Sequence, residues 1–88
     1  MLSENSEYLD ALAYVKRSKN RKWVVNLIST SRMTPSEVME KMGARFSLVS
    51  AILADLKKAG VVVCLNEKEK TGRLYKLTDI GLAIYDEL

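Results

Sequence analysis

Apolar residues recur at helical spacing in the first third of the chain and predict two helices. The first is expected from about residue 6, capped by Ser6, to about residue 17, and the second follows the break at residues 18–20 and ends near residues 29–31. The apolar positions are Tyr8, Leu9, Leu12 and Val15 in the first helix, and Trp23, Val24, Leu27 and Ile28 in the second. The second helix has the pattern of a core element.

A short helix with strong end signals follows in the stretch TPSEVMEKMG, residues 34–43. Thr34 suits the N-cap, Pro35 suits the first helical position, and Glu37 stands three residues after the cap, where it completes a capping box. Gly43 suits a left-handed helix end. These signals limit the helix to about nine residues.

The last part of the chain predicts a longer helix, two strands and a final helix. Ser47 is expected to cap a helix that runs to about residue 59 and closes at Gly60. The β-branched stretch 61–65 and the alternating stretch 72–77 predict two strands, joined by a polar turn. Thr78 is expected to cap the last helix, residues 78–88.

The resulting order is helix, helix, helix, turn, helix, hairpin, helix, within a single domain of residues 1–88. Two helices joined by a short turn that contains glycine form a helix-turn-helix, and a strand pair directly after the second helix is a wing. The sequence therefore predicts a mainly α protein with a small β-hairpin, of the winged helix-turn-helix type.

Charge is distributed unevenly along this domain. The 88 residues have a formal net charge of +3, yet all 14 basic residues lie in 16–76 with five acidic ones, a local balance of +9 between two acidic ends. A basic centre of this kind fits a polyanionic partner, although a solvated basic face without a partner is the alternative.

Other composition features argue against several functional classes. The chain has no histidine and a single cysteine, Cys64, so no tetrahedral zinc site, other metal site or cofactor is expected. It lacks nucleotide-binding glycine loops and a paired nucleophile and base, so it is not expected to be an enzyme. The N-terminal stretch is not a secretory signal, and no segment is long and apolar enough for a membrane, which favours the cytoplasm.

Four segments together resemble the winged helix-turn-helix regulators, in particular the small bacterial and archaeal MarR-like and ArsR-like transcription factors. They are NRKWVVNLI (20–28), TPSEVMEKMG (34–43), SLVSAILADLKKAGVV (47–62) and RLYKLTDIG (73–81). The resemblance implies a double-stranded DNA-binding transcriptional regulator, with the recognition helix 47–59 in the major groove and the wing 66–73 on the backbone or minor groove. No pattern marks a small-molecule effector site.

By position, the resemblance implies two groups of DNA-binding residues. The recognition helix would contribute Arg45, Phe46, Ser47, Leu48, Ser50 and Ala51, and the wing would contribute Lys68, Lys70 and Arg73. The helix has few side chains that form bidentate contacts with bases, so we expect modest specificity. A cap role for Ser47, a packing role for Phe46 and self-paired charges at the wing tip stay open as alternatives.

A third candidate contact is the basic run KRSKNRK, residues 16–22, from which Lys19, Arg21 and Lys22 are assigned to the DNA backbone. The junction between the first two helices adds helix-end amides that favour a phosphate. The alternative is that Lys16 and Arg17 only complement the dipole at the end of the first helix.

The terminal helices offer more apolar surface than a small core is expected to hide, which predicts a homodimer. The interface residues are Tyr8, Leu9, Leu12, Val15, Leu82, Tyr85 and Leu88. The rival reading is a winged-helix protein-protein interaction module of a transcription or replication assembly, with Phe46 and Leu48 as anchors.

Overall fold

The computed structural model describes the backbone of residues 2–88 and the side chains of residues 6–88. Within this range five helices and three short strands follow one another as α1 (Leu2–Lys16), α2 (Lys19–Ile28), β1 (Arg32–Met33), α3 (Pro35–Met42), α4 (Phe46–Lys58), β2 (Val62–Cys64), β3 (Tyr75–Leu77) and α5 (Asp79–Glu87). The winged helix-turn-helix order predicted from the sequence is confirmed, with β1 as an addition.

The starts of α3 and α5 were predicted correctly from short-range sequence signals. At α3 the Thr34 amide donates to Glu37 Oε1 at 2.8 Å and the Glu37 amide donates to Thr34 Oγ1 at 3.2 Å, so the predicted capping box is confirmed. The backbone of Thr34 is extended, as is usual for an N-cap residue, and Gly43 ends the helix in the left-handed region at φ 65°. Thr78 caps α5 as predicted, since its Oγ1 accepts from the Gly81 amide.

Two predicted caps are wrong. Helix α1 already begins at Leu2, so Ser6 lies inside the helix instead of before it. Helix α4 begins at Phe46, because the carbonyl of Arg45 accepts the first helical bond from the Val49 amide at 3.1 Å. Ser47 therefore lies in the first turn of α4, and no side chain caps this helix.

The three strands form an antiparallel sheet in the order β1-β3-β2. Strand β2 pairs with β3 through Val62 with Leu77 and Cys64 with Tyr75, which gives the predicted hairpin. Both strands are shorter than the predicted ranges 61–65 and 72–77, because the chain leaves the sheet for the wing loop. Strand β1 was not predicted, because its two residues are too few to show a period of two.

The core lies between the helices and the inner face of the sheet. Its largest fully buried side chains are Val15, Val24, Val25, Ile28, Val38, Val49, Leu53, Leu56, Val61, Val62, Leu77 and Ile84. Trp23 was expected in the core, but its side chain is 44% exposed because α2 turns Val24, Val25 and Ile28 inward instead. The core fixes α3, α4 and the sheet relative to one another, and so positions the surface described next.

Candidate nucleic-acid interface

Helix α4 has one buried face and one open face. Val49, Ile52, Leu53 and Leu56 are buried. The opposite face consists mainly of the small residues Ser47, Ser50, Ala51 and Ala54. Because their side chains are short, another molecule can approach the backbone of α4 closely along this face.

Two large apolar side chains flank the start of this open face. Phe46 is 59% exposed and Leu48 is 42% exposed. Phe46 therefore lies mainly outside the core, which disfavours the packing role that the sequence left open. Arg45, which precedes the helix, is exposed as well.

A groove of about 350 Å³ joins the start of α4 to the wing, and we call it the wing groove. It is lined by Thr34, Pro35, Ser36, Phe46, Ser50, Leu53, Lys70, Thr71, Gly72, Arg73 and Tyr75. The structure thus brings together residues predicted from the recognition helix (Phe46, Ser50) and from the wing (Lys70, Arg73). It adds the N-terminus of α3, which the sequence could not place because the β1–β3 pairing was not recognised.

The wing loop, residues 65–74, is closed by its own side chains. Asn66 Oδ1 accepts from the Leu74 amide at 2.8 Å, and Asn66 Nδ2 donates to the Gly72 carbonyl at 3.2 Å. Arg73 Nε donates to the Glu69 carbonyl at 2.7 Å, and Arg73 Nη2 donates to the Glu67 carbonyl at 3.2 Å. Arg73 therefore holds the loop in shape, a role that the sequence analysis did not assign to it.

One acidic side chain of the wing, Glu67, has an ion-pair partner outside the wing tip. Glu67 forms an ion pair with Lys57 of α4, which ties the wing to the recognition helix. Lys68 and Lys70 remain exposed at the tip. Glu67 is therefore paired with α4 and not with a lysine of the wing tip, which disfavours the self-paired tip that the sequence left open.

The basic run lies at the other end of α4. Arg17 lines a second groove with Lys58, Ala59 and Gly60, at the C-terminal end of that helix. Helix α4 has 13 residues, so about 18–20 Å separates this end from Phe46. The run is therefore not part of the wing groove.

Within the run, Arg21 is held by the protein. Its Nη1 donates to the Tyr14 carbonyl at 2.7 Å, and its guanidinium lies 3.6 Å from the centroid of the Tyr14 ring. This contact joins α2 to α1. Lys19 is exposed and Lys22 is partly exposed, so these two keep the surface position that was predicted for a backbone contact.

The residues predicted for a dimer interface divide into three groups. Leu9 and Leu88 are exposed, at 58% and 39%. Tyr8, Leu12, Leu82 and Tyr85 are partly buried against the core. Val15 is fully buried in the core, so it offers no surface to a second copy.

Neither a cluster of metal ligands nor a membrane-spanning helix is present in the part of the chain that the structure describes. There, no three His, Cys, Asp or Glu side chains come together as metal ligands would. In the same part, every helix is too short or too polar to cross a bilayer.

Comparison with solved structures places this geometry among known folds. HlyU from Vibrio cholerae N16961 superposes with a TM-score of 0.80 at 20% sequence identity, over 94% of this chain and 89% of HlyU. AdcR, the adhesin competence repressor of Streptococcus pyogenes, gives 0.69 at 16% identity, over 99% of this chain and 69% of AdcR. A mutant of ZitR from Lactococcus lactis gives 0.69 at 17% identity, over 80% of this chain and 49% of ZitR.

These three proteins are winged-helix transcriptional regulators of the ArsR/SmtB and MarR types. No protein-family model matches this chain, and no curated protein sequence matches it. The element order, the sheet and the superpositions agree, and the chain has the winged helix-turn-helix fold of these regulators.

Proposed function

We propose that this protein is a transcriptional regulator that binds double-stranded DNA and acts as a homodimer. The observation that supports the proposal most directly is the wing groove, which unites the start of α4, the N-terminus of α3 and the basic wing. The fold shared with HlyU, AdcR and ZitR supports it as well.

The open face of α4 is the surface proposed for the major groove. A major groove about 12 Å wide admits an α-helix, and the small residues Ser47, Ser50 and Ala51 allow α4 to enter deeply. Arg45 is the side chain of this surface best suited to a guanine, and Phe46 and Leu48 suit thymine methyl groups. With so few bidentate donors, sequence preference is expected to depend strongly on DNA shape.

The wing is the surface proposed for the DNA backbone, through Lys68 and Lys70. Because Arg73 is bonded to two carbonyls of the loop, its removal would disturb the wing as well as its charge. Neutralising the two lysines is therefore the cleaner test of phosphate contact.

The decisive experiment is fluorescence anisotropy of a labelled 30-base-pair duplex across salt concentrations of about 50–200 mM. Wild-type protein is compared with a Lys68→Gln, Lys70→Gln double variant. Each phosphate contact contributes about 0.9 to the slope of log affinity against log salt. We expect the double variant to lower the slope by about one to two.

Two outcomes would contradict the proposal. Absence of duplex binding by the wild type, on random and genomic sequences alike, rules out the DNA-binding function. Binding with an unchanged salt slope in the double variant keeps DNA binding but removes the wing from it. A single Lys41→Gln variant, on the exposed side of α3, controls for loss of net charge.

A second function is supported by one observation, the exposure of Phe46 and Leu48 at the start of α4. On that reading α4 binds a protein partner in a transcription or replication assembly. Apolar contacts carry little salt dependence, so a partner that binds with a flat slope and is lost in Leu48→Ser would favour it.

The absence of enzymatic activity and a cytoplasmic location are part of the main proposal.

A further inference from the structure

The outer face of the wing sheet carries two basic residues that the sequence analysis did not single out. Strand β1 pairs with β3 so that Arg32 lies directly opposite Lys76, and both side chains are exposed. Among the side chains of residues 6–88, no acidic group forms an ion pair with either. We call this cross-strand pair the outer basic pair.

Like charges in this arrangement repel one another. Residues directly opposite in an antiparallel pair have Cβ atoms about 4.5–5.5 Å apart, and like-charged residues at such positions destabilise the strand pairing. An acidic residue at either position would stabilise the sheet. A bound anion between or beside the two cations has the same effect, so the charge pattern is that of an anion-binding surface.

The outer basic pair adjoins the wing groove but lies on the other side of the sheet. Lys76 follows Tyr75, which lines the groove, and Arg32 precedes the buried Met33, which is paired with Tyr75. Since successive side chains of a strand point to opposite faces, Arg32 and Lys76 face away from the groove. Their exposed side chains are therefore open to a ligand on the outer side of the wing.

We propose, on the basis of the DNA-binding function proposed above, that Arg32 and Lys76 bind phosphates of the duplex on the outer side of the wing. The protein would then hold the DNA backbone from both faces of its wing sheet. An acidic peptide is the competing ligand, because the exposed Val63 is paired with Lys76 on the same sheet and the exposed Leu65 follows β2. The duplex is favoured because Arg32, the other neighbour of Lys76, lies on β1, which leads directly into α3 and the wing groove.

The test is the salt dependence of duplex binding by Arg32→Gln, Lys76→Gln and the double variant, with the same labelled 30-base-pair duplex. Each single change is expected to lower the slope by about 0.9 and the affinity near 0.15 M salt by about fivefold, and the double change by about twice that slope. Lys41→Gln is the matched control, since Lys41 is exposed on α3 and is assigned to no DNA contact. It is expected to leave the slope unchanged.

The outcomes separate this inference from the proposed function. If the wild type binds no duplex, both fail. If the wild type binds and only the Lys68 and Lys70 variant changes the slope, the DNA-binding function stands and the outer basic pair is not part of it. If instead the wild type binds a labelled polyglutamate peptide and the Arg32, Lys76 double variant does not, while its duplex slope is unchanged, the pair binds an acidic partner and the inference is overturned.

A charge-reversed variant, Arg32→Glu, distinguishes binding from folding. It replaces the repulsive pair by an opposite-charge pair with Lys76, so the thermal midpoint is expected to stay equal or rise while duplex affinity falls. A fall in both quantities would show that Arg32 supports the fold, which would overturn the assignment of a binding role.

Discussion

Gly81 is the residue at which helix propensity and packing oppose one another most clearly. It lies in the first turn of α5, and a Cβ added there would overlap the carbonyl oxygen of Val61 and come within 3.1 Å of Leu77 Cβ. The approach is close because Thr78, the cap of α5, donates to the Gly60 carbonyl at 2.6 Å and its amide donates to the Val61 carbonyl at 3.0 Å. Backbone atoms of two elements therefore meet at Gly81.

We predict that Gly81→Ala lowers the free energy of unfolding by about 1–3 kcal/mol, because the added methyl group forces α5 away from Val61. Helix propensity alone predicts the opposite sign, a gain of up to about 1 kcal/mol. Urea unfolding followed by circular dichroism measures the difference. An equal or higher unfolding midpoint for the variant would show that α5 can shift without cost.

Ala83→Gly is the control, because Ala83 is exposed on the same helix. It has only the propensity cost of about 1 kcal/mol. The two variants exchange the same pair of residue types in opposite directions. We expect both to lower the free energy of unfolding.

Single residues also mark the limit of what the sequence could predict. Trp23 and Val24 fit a helical apolar stripe equally well, and only the packing of α2 against its neighbours decides that Val24 is buried and Trp23 is exposed. Arg73 has a charge that suits a phosphate, yet its bonds to two loop carbonyls depend on a loop conformation that no local pattern encodes. By contrast, the capping box of Thr34 and Glu37 is a contact within four residues, so the sequence predicted it fully.

At the scale of elements, order and type followed from the sequence, whereas pairing did not. The hairpin of β2 and β3 was predictable because its strands show β-branched and alternating residues. Strand β1 was not, because Arg32 and Met33 become a strand only through their pairing with Lys76 and Tyr75. That pairing brings α3 next to the wing, so the wing groove could not be derived from the sequence.

The wing is the element whose shape depends most on one side chain, Asn66. Its amide group bonds both Leu74 and Gly72 across the loop. We predict that Asn66→Ala increases hydrogen exchange at the Leu74 amide by about fivefold or more, as expected from the loss of about 1 kcal/mol per hydrogen bond. Amides of α4 are expected to exchange at unchanged rates, which native-state exchange measured by NMR can establish.

Asn66→Asp serves as the matched control for this prediction. The carboxylate keeps an acceptor for the Leu74 amide and loses the donor to the Gly72 carbonyl. Its exchange at Leu74 is therefore expected to stay closer to the wild type than that of Asn66→Ala. Equal exchange in all three proteins would mean that Arg73 and the β2–β3 pairing suffice to close the loop.

At the scale of the whole molecule, the exposed parts of the terminal helices are the surface proposed for contact between two copies. Residue Leu9 of α1 and Leu88 after α5 expose apolar side chains on the two terminal helices, which pack against each other. A symmetric dimer through these helices would place two recognition helices on one duplex, and dimeric helix-turn-helix proteins read half-sites about 34–36 Å apart. The terminal helices would then set the spacing of the DNA site.

We predict that Leu9→Glu shifts the protein from dimer to monomer at tens of micromolar in sedimentation velocity, because a charged group cannot be buried without a partner. Since Leu9 is 58% exposed in the single chain, the substitution leaves the core intact, and the thermal midpoint extrapolated to low concentration is expected to be unchanged. Affinity for a duplex with two half-sites is expected to fall, whereas affinity for a single half-site is not.

Leu65→Glu is the control for this experiment, because Leu65 is the same residue type with 47% exposure, but it lies on the wing. It should sediment as the wild type does. If Leu65→Glu separates the copies and Leu9→Glu does not, the two copies meet through the wing sheet, and the outer basic pair would face the partner instead of DNA. If the wild type itself is a monomer, each recognition helix acts alone, and the site on DNA has no fixed half-site spacing.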